Sequence, residues 1–325
     1  MRRRTFIAGL GGAAIVARPL FAMAQEPGRT YRVGVLALLP YDRPDQVGFR
    51  EALGAQGFVD GQNLIWDRAG YGLRPDQLAA HAAEIVAAKV DVIFAGGDAA
   101  IRAAQAATTA IPILGNTDDL VGSGLAQSMS RPGGNTTGMS FLAPQLDSKR
   151  QELLLEMRPD AHRIAALADP NTTSEQRLAH LKETARARGV ELMVVSVAKL
   201  DEIIPAIEAI KASGAAGLNV LASPLFSARR GVIFERTAAL GLPAIYQWPE
   251  MAQEGGLAAY GPSSSKLYRQ ETALTLTKLL KGTKPADLPI EQPTKFEMVI
   301  NLKVAKALNL SIPLAVLARA DEVIE

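Results

Sequence analysis

The sequence predicts an α/β protein in which two lobes, each a doubly wound parallel sheet, are joined by a hinge. Short aliphatic runs alternate with longer helical stretches from Arg32 onward, which is typical of a parallel sheet covered by helices on both faces. The same alternation restarts at Arg163, and corresponding strands lie about 120 to 130 residues apart. With 325 residues, 48% of them hydrophobic and 21% charged, the chain is long and apolar enough to form two cores.

Each strand of the first lobe is predicted from a short run rich in β-branched and aliphatic residues. These runs are 33–38, 64–69, 91–96, 111–116 and 136–141. Helical periodicity predicts helices between them, over 44–56, 76–88, 98–107 and 122–130. A helix between successive strands is the crossover connection that parallel pairing requires.

The second lobe is predicted from the same order of elements. Its strands are expected over 163–169, 191–197, 216–222, 243–248 and 256–261. Its helices are expected near 174–187, 200–212, 226–240 and 249–254. The matching order predicts that one lobe is a duplicate of the other.

The C-terminal segment forms a third part of the pattern, with a predicted helix at 266–281, a proline-rich passage at 284–301 and a last helix near 302–308. A segment of this length after two complete lobes is expected to cross between them and to form part of the hinge. The predicted first lobe comprises 25–141 and about 262–285, and the second comprises 142–261 and about 286–325.

The N-terminus has the pattern of a cleaved export signal over residues 1–24. Arginines at 2–4 precede an apolar stretch at 6–17 and the small-residue triplet Ala22-Met23-Ala24. The adjacent arginines fit twin-arginine export, and a basic start also serves general secretion, so both routes stay open. The apolar stretch is too short to span a bilayer. We expect a periplasmic protein whose mature chain begins at Gln25.

The charge and the absence of cysteine exclude several classes of protein. The formal net charge is +2, and the predicted signal carries four arginines and no acidic residue, so its removal leaves −2. Nucleic-acid binding requires a concentrated basic face, which this balance argues against. Without cysteine the chain has no disulfide, no cysteine-linked lipid anchor and no thiol nucleophile.

The sequence offers weak support for catalysis. Gly122-Ser123-Gly124 imitates the start of a dinucleotide fingerprint, but the required third glycine position is Gln127, and no phosphate-binding Gly-Lys-Ser/Thr loop is present. No G-x-S-x-G motif occurs, and the three histidines, His81, His162 and His180, have no metal-ligand spacing. We therefore expect no catalytic residue, no bound metal and no cofactor.

A small-molecule site is expected beyond the carboxyl ends of the strands, where loops and helix N-termini present unpaired N–H groups. The candidate ligand-binding residues are Leu39, Tyr41, Gly97, Asp98, Asp119, Ser140 and Phe141 in the first half, and Asn171, Thr172, Ser223, Tyr246 and Tyr260 in the second. Aromatic residues are only 5% of the chain, yet six fall at strand ends: Tyr41, Phe141, Phe226, Tyr246, Trp248 and Tyr260. They favour a flat apolar slot for a ring-bearing or branched ligand.

Two adjacent aspartates follow the fourth strand, and two interpretations of them stay open. One of Asp118 and Asp119 caps the next segment while the other is solvated, or a single carboxylate accepts a hydrogen bond from a ligand amine. The glycines within 131–138 are interpreted as turn residues that let the chain leave the first lobe.

Five segments resemble a known family. They are GFREALGAQGFVDGQNL (48–64), DLVGSGLAQSMSRPGGNTTG (119–138), LPAIYQWPEMAQEGGLAAYGPS (242–263), LPIEQPTKFEMVINLKVAKALNL (288–310) and LARADEVIE (317–325). The chain from Arg32 to Glu325 resembles the ABC transporter substrate-binding proteins of the type I periplasmic-binding fold. Within that family it is similar to the subgroup associated with tryptophan and other aromatic amino acids.

The resemblance implies a monomer that holds a small ligand, an amino acid or related aromatic compound, between its lobes. It also implies delivery of that ligand to an ABC permease with its ATPase. Asp119 matches the family's usual aspartate after the fourth strand, and Leu120 departs from the proline that commonly follows, so the loop is expected to be less fixed. A sensory receptor without transport and an exported enzyme remain alternatives.

In the expected mechanism a ligand that touches both lobes stabilises the closed state. For an amino acid, N–H groups near Gly97 and Asp98 and the Ser140 hydroxyl are expected to hold the carboxylate. Asp119 or Asp98 is expected to bind the ammonium group. The side chain is expected to contact the rings of Tyr246, Tyr260 or Phe141.

Overall fold

The computed structural model describes residues 28–325, and within that range the chain forms two α/β lobes with sheets of five and seven strands. The predicted fold class is confirmed. The predicted export signal at 1–24 lies outside the described residues. Within 28–325, no helix combines the length and the hydropathy that crossing a bilayer requires.

The first lobe contains an entirely parallel sheet in the order β2-β1-β3-β4-β5. Its strands are Tyr31–Ala37 (β1), Leu64–Trp66 (β2), Val92–Gly96 (β3), Ile113–Thr117 (β4) and Thr136–Ser140 (β5). The helices Pro44–Ala55 (α1), Leu78–Ala87 (α2) and Asp98–Ala107 (α3) connect them. Strands β3, β4 and β5 are almost wholly buried because helices cover both faces.

The second lobe contains a larger sheet in the order β12-β11-β10-β9-β8-β6-β7, in which the β10 and β11 pair is antiparallel and the others are parallel. Its strands are Arg163–Ala168 (β6), Glu191–Ser196 (β7), Leu218–Val220 (β8), Ala244–Tyr246 (β9), Ala258–Gly261 (β10), Glu297–Asn301 (β11) and Glu322–Ile324 (β12). Its helices are Ala143–Met157 (α4), Glu175–Ala187 (α5), Ile203–Ala212 (α6), Pro224–Ala228 (α7), Arg230–Ala239 (α8) and Pro249–Gln253 (α9).

The C-terminal segment packs against both lobes. Helices Ser264–Leu267 (α10) and Ala273–Leu280 (α11) are joined by a π-helical turn and lie against α1, in the same core as Phe49 and Phe94 of the first lobe. The chain then runs beside β5, where the Glu291 N–H donates to the Gly138 carbonyl. It next enters the second sheet as β11, and Leu302–Ala307 (α12) and Leu314–Leu317 (α13) follow. The segment therefore packs first against the first lobe and then joins the sheet of the second.

Three parts of the secondary structure differ from expectation. The stretch 122–130 forms turns and bends instead of a helix, because the chain there folds back on Leu120 and Gly124 adopts a positive φ of 69°. Helix α4 was not predicted, since its buried face carries Asp147 and Arg150 among apolar residues and the periodicity is weak. Strands β11 and β12 were not predicted either, because β11 follows a proline-rich passage and β12 is three residues long.

Candidate ligand-binding site

The carboxyl ends of both sheets face a cleft between the lobes, and the cleft has two ends of different chemistry. One end, called here the apolar end, is lined by Leu39, Gly97, Phe141, Ser223, Pro224, Trp248 and Tyr268 and encloses about 50 Å³. The other, called here the charged end, is lined by Asp98, Arg102, Asp119, Thr172, Arg177 and His180 among others and encloses about 660 Å³. Asp118 lines both ends.

Aromatic rings from separate elements form the apolar end. Phe141 follows β5 and Trp248 immediately precedes α9, and their rings meet edge to face with centroids 5.1 Å apart. Tyr268 lies at the π-helical turn between α10 and α11, where burial is the main cause that raises the pKa of its hydroxyl to about 12. Edge-to-face pairs of this kind are favourable, so the two rings hold each other in place in this arrangement.

The two lobes touch around the apolar end. Arg43, at the start of α1, pairs with Asp45 through Nη2 and Oδ2 at 2.9 Å. Its Nη1 donates across the cleft to the Ser227 carbonyl at 3.2 Å. Gly97 has a φ of 92°, and a Cβ placed on it would lie 2.9 Å from Pro224 Cγ of the other lobe. Close interlobe contacts of this kind describe a closed arrangement.

The charged end is organised by a chain of ion pairs. Ser174 caps α5 by accepting from the Arg177 N–H, which fixes the first turn of the helix that carries Arg177. Arg177 Nε donates to Asp147 Oδ2 at 2.6 Å. Asp147 also pairs with Arg150, whose Nη1 donates to the Tyr260 carbonyl at 3.0 Å. Arg177 Nη1 reaches across the cleft to within 3.6 Å of Asp118 Oδ2.

The environment of Asp118 raises the pKa of its carboxyl group to about 6. Burial is the largest cause, because it disfavours the charged form. The positive charge of Arg177 opposes the rise, and the negative charges of Asp147 and Asp98 add to it. Asp118 is thus a carboxylate that burial and its acidic neighbours make costly to ionise.

Asn116, on β4 and two residues before Asp118, also lines the cleft. Its Nδ2 donates to Thr272 Oγ1 at 3.0 Å, and Oδ1 has no hydrogen-bond partner among the described residues. The residue is only 2% exposed. Buried acceptors are nearly always satisfied in native proteins, so this oxygen indicates a place for a donor.

The structure brings eight of the twelve predicted site residues to the cleft. Leu39, Gly97, Phe141 and Ser223 line the apolar end, and Asp98, Asp119, Asn171 and Thr172 line the charged end. Tyr41, Ser140, Tyr246 and Tyr260 are not among the residues that line either end.

Asp119 lies at the rim, and its carboxylate serves its own loop. Oδ1 of Asp119 accepts from the Gly122 N–H at 2.8 Å, which is the capping role considered from the sequence. Asp118, not Asp119, is the carboxylate shared by both ends of the cleft. The ammonium contact expected at Asp119 stays a prediction.

Ser140 fixes the loop that follows β4. Its Oγ accepts from the Leu120 N–H at 3.2 Å, and both residues are buried. A proline at position 120 would have no N–H to donate. The Leu120 N–H therefore anchors the loop on Ser140, and the expectation that Leu120 leaves this loop less fixed than a proline would stays a prediction.

Three predicted tyrosines are packed away from the cleft. Tyr246 is buried in the core of the second lobe, with its hydroxyl against Thr237 Oγ1 at 3.1 Å and its ring on Phe234. The Tyr260 ring lies beside Phe296. The Tyr41 ring packs on Tyr71 and under the Arg50 guanidinium, 3.6 Å from its centre. Strand-end position alone could not distinguish rings that face the core from rings that face the cleft.

Several residues that line the cleft or pair within it are not among the ligand contacts predicted from the sequence. Trp248 belongs to the six strand-end aromatic residues but not to the twelve predicted ligand-binding residues. Arg43 directly precedes α1, and Arg177 and Tyr268 lie on helical segments, where no local motif marks them. Among the described residues, no group of three or more acidic or histidine side chains could hold a metal ion.

Comparison with known proteins places the chain in a family. The family described as "ABC transporter substrate binding protein" matches residues 32–324. A curated relative, the "Tyrosine-binding protein" of Clostridioides difficile strain R20291, is 26% identical over 286 residues, which is 86% of this chain and 81% of the relative.

Solved structures show the same fold. A conserved domain protein from Vibrio cholerae O1 biovar El Tor is 26% identical, with a TM-score of 0.81 over 91% of this chain and 100% of that chain. An ABC domain from Streptococcus pneumoniae, solved in complex with L-Trp, is 24% identical, with a TM-score of 0.80 over the same shares.

Proposed function

Since the chain belongs to the ABC transporter substrate-binding protein family, we propose that it captures an aromatic amino acid between its lobes and delivers it to an ABC permease with its ATPase. It acts in the periplasm, to which the signal predicted at 1–24 would direct it. It works as a monomer and catalyses no reaction. The curated relative's name supports an amino acid as the ligand.

The apolar end is the observation that carries this proposal. It encloses about 50 Å³, so the space between its walls is narrow in this closed arrangement. Phe141, Trp248 and Tyr268 surround this space, and each is at least 90% buried in the closed arrangement. A planar apolar group therefore fits the space better than a sugar or a small ion.

Burial of the ligand's ring alone does not supply enough free energy for micromolar binding, so polar contacts must contribute as well. Burying an aromatic side chain removes about 150 to 250 Å² from water, which at about 25 cal/mol per Å² is about 4 to 6 kcal/mol. Micromolar affinity requires about 8 kcal/mol, and association also has an entropic cost. The charged end, next to the ring space, is the source of the additional free energy.

Closure couples binding to delivery. The lobes meet at Arg43 and Ser227, at Gly97 and Pro224, and at Asp118 and Arg177. A ligand that contacts both lobes stabilises this closed state by its differential affinity for it. The permease would then distinguish closed, loaded protein from open, empty protein.

A thermal-shift screen of the mature protein against the standard amino acids tests the ligand class, because a ligand that binds only the folded state raises the melting temperature. We expect the largest increases with tyrosine, tryptophan and phenylalanine, followed by saturable binding in calorimetry. An absence of any increase with these three would refute the aromatic ligand. Uptake of the labelled ligand by cells that lack this protein tests the transport step, and unchanged uptake would refute it.

A further inference from the structure

We infer that Asp118 and Asn116 form an ammonium subsite. Because of this subsite, the cleft binds an amino acid more tightly than the analogue that has the same ring and carboxylate but lacks the amine. The inference rests on the proposed function, because it concerns the polar group attached to the ring held at the apolar end. The discrimination between these two ligands is assigned to the carboxylate of Asp118 and the amide oxygen of Asn116.

The position of Asp118 is the first support. It lines both ends of the cleft, so its carboxylate lies where a group attached to a bound ring would emerge. Its side chain is 14% exposed. The distance of 3.6 Å from Oδ2 to Arg177 Nη1 is too long for a hydrogen bond, and within 28–325 this oxygen has no such partner. The carboxylate is held at the cleft without being saturated.

The charge balance around Asp118 is the second support. Among the described residues, the carboxylates that line the cleft or pair within it number five, on Asp45, Asp98, Asp118, Asp119 and Asp147, and the guanidinium groups number four, on Arg43, Arg102, Arg150 and Arg177. The carboxylates therefore outnumber the guanidinium groups by one, which leaves one negative charge without a positive partner. Uncompensated buried charge is costly, and a cationic ligand would supply the missing charge.

Asn116 is the third and independent support. Its Nδ2 donates to Thr272 Oγ1, and its Oδ1 is an acceptor without a partner among the described residues. An ammonium group carries three donors and no acceptor, so it can satisfy Asn116 Oδ1 and Asp118 together. A ligand carboxylate satisfies neither, because it offers only acceptors.

The neighbouring Asp119 provides a matched comparison. Its carboxylate accepts from the Gly122 N–H and lies at the rim of the charged end only. Replacing either aspartate with asparagine removes one negative charge at adjacent positions of the same loop. Only the change at 118 removes it from the proposed ammonium subsite.

The test measures binding of L-tyrosine and of 3-(4-hydroxyphenyl)propionate, which lacks only the amine, by calorimetry at pH 7.5. We expect wild-type protein to prefer tyrosine by at least about 100-fold. In Asp118→Asn, tyrosine binding should weaken about 30-fold or more while binding of the analogue changes less than about threefold. The preference should persist in Asp119→Asn.

Each other outcome overturns the inference. Equal binding of the two ligands by wild-type protein, a comparison that needs no variant, would remove amine selection while leaving the proposed ring site intact. A preference lost in Asp119→Asn but kept in Asp118→Asn would move the ammonium contact to Asp119. If neither tyrosine nor its analogue binds wild-type protein, the proposed function falls and this inference falls with it.

Discussion

The two ends of the cleft differ in what holds their side chains in place. At the apolar end, Phe141 and Trp248 pack on each other, so the two rings support each other in the closed arrangement. At the charged end, burial raises the pKa of Asp118, the negative charges of Asp147 and Asp98 add to the rise, and the positive charge of Arg177 opposes it. The apolar end therefore supplies affinity through buried area, and the charged end supplies selectivity because it remains incomplete until a suitable ligand arrives.

The largest expected effect tests whether the charged end depends on its buried ion pairs. Replacing Asp147→Asn removes the carboxylate between Arg150 and Arg177, all three of which are less than 9% exposed. Two guanidinium groups then remain buried without their partner, so the free energy of unfolding should fall by about 3 to 5 kcal/mol. Chemical denaturation measures this loss.

The matched control for that change is Asp160→Asn. Asp160 pairs with Arg158 at the surface and is 70% exposed, so its replacement should leave the free energy of unfolding nearly unchanged. Equal effects of the two substitutions would show that the Asp147 pairs contribute no more than a surface ion pair.

The second prediction tests the apolar end. Replacing Trp248→Leu removes the indole ring from the slot and should weaken binding of aromatic amino acids by about 2 to 3 kcal/mol in calorimetry. The chain's other tryptophan, Trp66, packs on Phe49 in the first-lobe core. Trp66→Leu should lower the melting temperature and leave the affinity of folded protein nearly unchanged. Equal affinity losses would contradict the ring slot.

The third prediction tests the spacing of the lobes beside the apolar end. Gly97→Ala should lower the free energy of unfolding by about 2 kcal/mol, because a φ of 92° is strained for alanine. It should also weaken ligand binding, because the added Cβ would press on Pro224 when the lobes close. Gly96→Ala is the control, since its Cβ would meet nothing closer than 3.9 Å. Unfolding and calorimetry on both variants should show the lower stability and affinity only at 97.

The smallest expected effect sharpens the assignment of Asp118 through pH. The pKa of Asp118 in the ligand-free protein is raised to about 6, and only the ionised form attracts an ammonium group. Binding of tyrosine should be constant above pH 7 and should weaken as pH falls through 6, by about tenfold at pH 5, or about 1.4 kcal/mol. The charged groups that face Asp118 or share its cavity are Arg177, Asp147, Asp98, Arg150, Arg102, Asp119, His180, Arg43 and Asp45.

The control for the pH dependence is Asp118→Asn, which has no carboxyl group to titrate at this position. Its weaker affinity should stay flat between pH 5 and 7.5 in the same titration. A wild-type profile that is equally flat, or a variant profile that falls in parallel, would assign the pH dependence to another group.

Much of the fold could be predicted because alternation of apolar runs is a local property. The predicted helix at 98–107 coincides with α3, and the ten predicted strands all contain an observed strand or most of one. The elements that were not predicted depend on contacts with distant parts of the chain. Helix α4 buries Asp147 and Arg150, whose burial is stabilised only by partners such as Arg177 on another helix. No pattern within α4 reveals those partners.

The site was predicted less completely because side-chain direction is not local. The sequence located the strand ends, but it could not decide that Phe141 faces the cleft while Tyr246 faces the core. It also ranked Asp119 above its neighbour, although the short turn to Gly122 uses that carboxylate and leaves Asp118 at the cleft. Adjacent residues at a strand end point in different directions, and packing decides which of them meets the ligand.

The sequence by itself determined the two-lobed α/β architecture, the resemblance to substrate-binding proteins and the loops where a ligand should lie, because each depends on residue order along the chain. Only the tertiary structure decided which side chains share the cleft. The pairing of Asp118 with Arg177 joins β4 of one lobe to α5 of the other, and the ring pair of Phe141 and Trp248 joins the ends of two sheets. Such contacts arise from closure of the whole chain, so no local stretch of residues specifies them.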